Sequence, residues 1–371
     1  MIIGHMSDTH LGAYAGKDDE REQDYYDAFR EAIEVFVKDH VKLVIHSGDI
    51  LDSPKPYGTA MKVLVEGVKL LDERGIQFLF TLGEHDISNV PSTPHPYLLD
   101  VLGVAKYVGT GEPVIIDDVV VAGLHKHKRV EREMLCKKLD EVARRVSQTD
   151  GKRRIVVLHQ GLTGLREFVG EISKDDIPAG FDYYAMGHFH VPYEFRCGKG
   201  LGAYPGATHW VDWDDPETTS INLVDLSGDE PRINIVRLKT VRPKIEKDTK
   251  LEELDGILQE LASSIRENRK KPCLLLKVET DRPFDPRPSE DSLKNHYIVT
   301  IRQVLKKVGG EVLQEAPDVN AELVRLTENV IGDKDKAEFA LFELLKALSD
   351  EDWRKGALEL VWNVFKEGKL K

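Results

Sequence analysis

Cysteine is scarce in this chain: Cys136, Cys197 and Cys273 stand far apart and form no CxxC pair. Without a disulfide framework to read, a reducing cytoplasm is the expected compartment. Positive charge is in deficit, with a formal net charge of −13. That excludes a broad surface for coating nucleic acid, and leaves room for nucleic acid held by local basic patches and bound cations. No apolar run approaches the ~18 residues of a membrane span, and residues 1–7 read directly as a strand, so neither a span nor a signal peptide is expected. Three catalytic signatures are also missing: a GxxxxGK[ST] phosphate loop, a GxSxG nucleophile elbow, and a GxGxxG turn after the first strand. Their absence removes the usual nucleotide-binding and serine-hydrolase apparatus.

What is present is a highly charged chain of 371 residues, 41% apolar and 32% charged, long enough for two or three domains. Its organising stretch is Val44-Ile45-His46-Ser47-Gly48-Asp49, a short buried strand that ends on Gly and offers the Asp carboxylate at its mouth. Four more apolar runs end the same way, on Asp8-Thr9-His10, Gly83-Glu84-His85-Asp86, His159 and Gly187-His188-Phe189-His190. Residues two apart on an extended exit project to one side. The candidate ligands are therefore Asp8, His10, Asp49, Glu84, His159, His188 and His190, with His85 adjacent. Mixed oxygen and nitrogen donors without thiolate favour Mn²⁺, Fe²⁺ or Zn²⁺ over a structural zinc. A pair of such ions clamps a phosphate and activates water, with Asp49 placed to bridge them.

In chain order, helices are expected near Gln23–Asp39, Thr59–Arg74, Tyr97–Leu102 and Glu131–Val146. The second is apolar nearly all round and must be buried on two sides. Its apolar surplus, with that of Tyr97–Leu102, predicts a homodimer. The basic stretch His125-Lys126-His127-Lys128-Arg129 reads either as a solvated loop or as a phosphate contact beside the metals. Texture changes at Val241-Arg242-Pro243, which sets a domain boundary near 240. Beyond it the pattern reads helix Leu251–Glu267, strand Leu274–Val278, helix Ser289–Val308 and strand Glu311–Gln314. A polar stretch, 318–334, precedes two amphipathic helices, Lys336–Leu348 and Glu351–Lys366. Their uncovered apolar residues, Trp362 among them, mark a binding surface at 335–371.

The series D-x-H, G-D, G-x-H-[DE], H and G-H-x-H resembles the calcineurin-like metallophosphoesterases. Leu158-His159-Gln160-Gly161 and Tyr183-Tyr184-Ala185-Met186-Gly187-His188-Phe189-His190 are more specifically similar to the archaeal-type meiotic recombination eleven family, the nuclease subunit of the double-strand-break repair complex. The motifs cover residues 1–210. The resemblance implies an α/β fold: a metallophosphoesterase β-sandwich flanked by helices over 1–240, a small α+β capping domain that assists DNA binding over 241–317, a linker over 318–334, and a C-terminal helix pair, 335–371, that docks on a coiled-coil ABC-type ATPase. It implies two Mn²⁺ per subunit, the first held by Asp8, His10, Asp49 and His190, the second by Asp49, Glu84, His159 and His188. His85 would bind no metal and would serve the phosphate or its leaving oxygen as the catalytic residue. The implied activity is Mn²⁺-dependent 3′→5′ exonuclease and single-strand endonuclease action on DNA ends. One departure stands out: Glu84 occupies a position where the family motif carries Asn, which adds negative charge and removes an amide donor. Two other readings remain open at this point, a small-substrate phosphodiesterase of the same superfamily and a DNA-end-binding scaffold with little activity.

Overall fold

A computed structural model describes residues 1–165, 170–263 and 270–305. In chain order it contains β1 (Ile2–Met6), α1 (Asp19–Lys38), β2 (Leu43–His46), α2 (Gly58–Glu73), β3 (Gln77–Phe80), α3 (Tyr97–Val101), β4 (Lys106–Tyr107), β5 (Val114–Ile116), β6 (Val119–Leu124) and α4 (Arg132–Ser147). There follow β7 (Arg153–His159), β8 (Tyr183–Gly187), β9 (Tyr193–Cys197), β10 (Gly200–Tyr204), β11 (Ser220–Asp225), β12 (Arg232–Arg237) and β13 (Lys244–Lys250). The last described elements are α5 (Leu254–Ser263), β14 (Cys273–Thr280), α6 (Arg287–Leu293) and β15 (Ile298–Leu305). The chain divides into two compact units. The first comprises Met1–Val278 and Asp285–Gln303; of the second, the described residues are Glu279–Phe284, Val304 and Leu305.

Within the first unit two six-stranded sheets run β12-β11-β1-β2-β3-β4 and β5-β6-β7-β8-β10-β9. The inner strands are parallel, with Ile3 opposite Leu43, Val44 opposite Phe78, and His159 opposite Gly187. Parallel strands covered on both faces need near-continuous apolar runs, which is what these short segments provide. Between the sheets lies one core, in which Ile3, Leu43, Ile45 and Leu79 meet Val121, Ile155, Val157 and Tyr183. On the outer face of the first sheet, Phe29, Ile33 and Phe36 of α1 and Leu64, Val68 and Leu71 of α2 cover Val44 and Phe78. On the outer face of the second, Leu135, Leu139 and Val142 of α4 cover Val120, Val156 and Tyr184. The result is a helix–sheet–sheet–helix sandwich. It agrees with the expected architecture.

α1 starts earlier than its apolar pattern, because Asp18 caps it by accepting from the Arg21 amide at 3.0 Å. The helix expected over Ser289–Val308 is corrected: α6 ends at Leu293 and Ile298–Leu305 is a strand of a third sheet, β13-β14-β15. Ile298, Val299, Thr300 and Ile301 are consecutive β-branched residues, which lose rotamer freedom in a helix and suit a strand. The strand Glu311–Gln314, the linker 318–334 and the helix pair within 335–371 lie outside the described residues. No helix among the described residues is long and apolar enough to cross a membrane.

Candidate metal centre

The candidate ligands stand at the C-terminal exits of β1, β2, β3, β7 and β8. The exits are laced together by backbone hydrogen bonds, from Asp8 N–H to the Gly48 carbonyl at 3.0 Å, His10 N–H to Asp49 at 3.1 Å and Thr81 N–H to His46 at 3.0 Å. Such turns require unusual backbone. Asp8 (φ 54°), His10 (42°), Asp49 (52°) and His188 (101°) all hold positive φ, a conformation that costs non-glycine residues and gathers at functional sites. Gly48 (φ 99°) and Gly83 serve close approach: a Cβ at Gly48 would collide with the His159 ring, and one at Gly83 with the Asp49 carboxylate.

Asp8, His10 and His190 offer donor atoms that lie within 4.8 Å of one another, and so do Glu84, His159 and His188. Asp49 stands between these groups: its Oδ2 is 3.3 Å from His159 Nε2 and 3.9 Å from His10 Nε2. All seven expected ligands are thus brought together. His85 is beside them, its ring 4.7 Å from that of His10 and its amide donating to Asp49 Oδ1 at 2.9 Å.

The donor set fits divalent cations on two observations. Asp8 Oδ1, His10 Nε2 and His159 Nε2 are buried without a hydrogen-bond partner, and His10 Nδ1 has only Asp52 Oδ1 nearby, at 3.4 Å. His159 Nε2 is 3.0 Å from Glu84 Oε2, but the contact lacks hydrogen-bond geometry. Buried polar atoms in native proteins are almost always satisfied, and several converging on one place are the donors a cation would satisfy. Second, the far side of two of the rings is fixed. His159 Nδ1 donates to the Ser47 carbonyl at 2.7 Å, and His190 Nδ1 pairs with Asp215 Oδ2 at 2.8 Å. Each pairing turns the Nε2 lone pair toward the site, the usual support of a metal-binding imidazole.

The electrostatics agree. Burial pushes His10 down, but Asp52, Asp49 and Asp8 outweigh it and raise the imidazole to about 9. His159 is likewise depressed by burial and carried well above its ordinary value by Asp49 and Glu84. Burial would raise Asp49 and Glu84, yet neighbouring histidines hold both below the usual carboxylate range. The cluster is built to surround positive charge. Behind it, burial pushes His5 and His46 down to about 3, so both are neutral struts. His5 joins Tyr183 to Ser47, and His46 meets Thr9.

Sequence reasoning missed several supporting residues. Asp86 accepts from the amides of Ile50, Leu51 and Gly83, clamping the β2 exit to the β3 exit. Asp215 comes from a loop with no motif, and Glu171 holds the Gly161 amide at 2.7 Å. Lys126, left between two readings in the sequence, reaches Glu84 at 3.5 Å.

Residues 1–229 match the family model of the calcineurin-like phosphoesterase superfamily domain. Fold and donor set together define a calcineurin-like metallophosphoesterase. A protein of Thermoplasma acidophilum called "DNA double-strand break repair protein Mre11" is 30% identical over 356 residues, spanning 91% of this chain and 92% of that one. Its namesake in Methanocaldococcus jannaschii is 25% identical over 369 residues, spanning 96% and 97%. The chain belongs to the archaeal Mre11 family. Among solved structures, a dimetal phosphatase from Danio rerio overlays with a TM-score of 0.44 and 12% identity over 64% of this chain and 96% of its own, a likeness too slight to argue from.

Proposed function

We propose that this chain is a Mn²⁺-dependent nuclease that processes the ends of DNA double-strand breaks; the relatives' names supply double-strand-break repair, and the donor set supplies the metal-dependent phosphoester chemistry. The observation that carries the reading is the position of Asp49 Oδ2 between His10 and His159, a single carboxylate oxygen reaching both ligand groups. Asp8, His10, Asp49 and His190 would hold the first ion, and Asp49, Glu84, His159 and His188 the second. Two ions so held supply Lewis acidity to a phosphodiester and to the water that attacks it. The chain's own residues do the positioning. Ser47 and Asp215 fix the ligand rings. His85 directs Nδ1 at the Asp52 carbonyl at 3.0 Å, which leaves Nε2 free to meet a phosphate or leaving oxygen.

The reading extends to 3′→5′ exonuclease and single-strand endonuclease polarity, to a capping domain over 241–317, and to a coiled-coil ABC-type ATPase bound through 335–371. It also includes a homodimer. Leu64 lies fully inside the first unit's core, while Met61, Val65 and Leu70 of α2 are only partly buried; the exposed apolar residues of the α3 region are Leu98, Val101 and Leu102. Val101→Glu with Leu102→Glu is expected to turn a dimer into a monomer in sedimentation. Removal of residues 335–371 is expected to end co-purification with the ATPase while single-strand cleavage survives.

The decisive experiment is incubation of purified protein with end-labelled DNA and Mn²⁺ beside a His85→Ala control. Shortened, Mn²⁺-dependent products from the native chain alone support the reading. Intact DNA alongside rapid hydrolysis of a small phosphodiester would overturn it.

A further inference from the structure

Lys126 follows β6 and is tied to the β3 exit by its amide, which donates to the Leu82 carbonyl at 2.9 Å. Its side chain is only 10% exposed. The ammonium meets Glu171 Oε1 at 2.9 Å, Glu84 Oε2 at 3.5 Å and both ring nitrogens of His188 at 3.3 Å. Glu171 is itself held by the Gly161 amide. A long, flexible side chain is thus fixed from both ends beside the second ligand group.

We propose that Lys126 is the counter-cation that permits a carboxylate at position 84, and that through this charge it keeps the site attractive to a phosphate oxygen. The inference rests on the reading of the site as a two-cation phosphodiesterase. Charge decides it. Two divalent ions held there would face Asp8, Asp49 and Glu84, with Asp52, Asp215 and Glu171 beside them, and a carboxylate at position 84 adds one negative charge that an amide would not. The Lys126 ammonium, 3.5 Å from Glu84 Oε2, offsets that one charge and leaves the anionic substrate the same balance that an amide would. An amide at position 84 without the lysine leaves the same net charge, so the two positions are coupled through electrostatics and not through shape. The ammonium also separates Glu84 from Glu171, two carboxylates that would otherwise repel across a partly buried gap.

The test measures Mn²⁺ and inorganic phosphate binding to the full chain by calorimetry. Lys126→Met should still take up two Mn²⁺ but bind phosphate about tenfold more weakly, since one unit charge beside the anion is lost. Lys126→Arg should stay within about threefold of the native protein, the charge being kept. Glu84→Asn combined with Lys126→Met should return phosphate affinity to within about threefold of native, a coupling that independent sites would not show. The proposal is overturned by a Lys126→Met protein that binds phosphate like the native one. It is also overturned by one that no longer holds Mn²⁺ while Lys126→Arg does, or by a double variant no better than Lys126→Met alone. None of these readouts involves DNA. A native protein that follows the binding pattern yet leaves DNA uncut sinks the nuclease reading and not this one.

Discussion

Asp49 and His85 sit next to each other and are expected to fail differently when removed. Asp49→Ala takes away the oxygen that reaches both His10 and His159, so both of the proposed ions would lose a shared ligand. Bound Mn²⁺, read by elemental analysis after gel filtration, should fall together with hydrolysis. His85→Ala removes a ring whose Nδ1 is already committed to the Asp52 carbonyl. It should keep both ions and lose turnover, by the roughly 10²–10⁴-fold typical of a positioned acid or base. Equal loss of metal in the two variants would refute that division. The candidate ligands were legible in the sequence because each lies within a few residues of the end of an apolar run, and the strand exit fixes its direction. Lys126 was legible only as one of several cations in a basic stretch, and Asp215 not at all. Both act through a partner far away in the chain, and spacing carries no trace of such a contact.

Among the elements, α1 shows how a helix that looks like plain packing also joins distant segments. Asp24, buried in its middle, accepts from Arg242 Nε at 2.5 Å and from Lys270 at 2.9 Å, while Arg21 lies 3.8 Å from the Trp210 ring. Burial raises Asp24, but hydrogen bonds from Arg242 and Lys270 win and hold it below its ordinary 3.8. A depressed carboxylate contributes stability that is present above its unfolded pKa and lost as pH falls through the folded one. Asp24→Asn should therefore cost on the order of 3 kcal/mol near neutral pH, because Arg21, Arg242 and Lys270 lose the buried charge they share, and Arg242 keeps only Glu20 and the Lys271 carbonyl. The deficit should begin to shrink below about pH 4, where the unfolded carboxyl protonates, and disappear only at lower pH, once the folded one does too. Urea unfolding at pH 7 and pH 3 measures both. The sequence marked Val241-Arg242-Pro243 only as a change of texture; the arginine's 3% exposure and its ties back to α1 needed the fold. The same blindness produced the helix at Ser289–Val308. A charged stretch with scattered apolar residues fits helical spacing loosely, and the β-branched run at its end, Ile298–Ile301, was outweighed in that reading. Strands β9 and β13 carry weak apolar patterns, with many of their residues exposed, and β10 is rich in glycine, so their sequences give little sign of a strand.

For the whole sandwich, the origin of the ligands has a mechanical side. Asp8, His10, Asp49 and Glu84 leave one sheet, and His159, His188 and His190 leave the other. Each cation would then be a rivet driven through the seam between two layers that otherwise hold by apolar contact. Ligand binding stabilises the folded state by about 2.7 kcal/mol at a hundredfold excess over Kd, and a rivet distributes that gain to both layers at once. Amides of β2 and β7, which belong to different sheets, should gain hydrogen-exchange protection together as Mn²⁺ is added and lose it together when a chelator withdraws it. Protection that rose in one layer only would mean the ions are ornaments on a single sheet. In the riveted case, metal starvation would loosen the whole sandwich as well as silence the chemistry, and the idle protein would become the more readily cut by proteases.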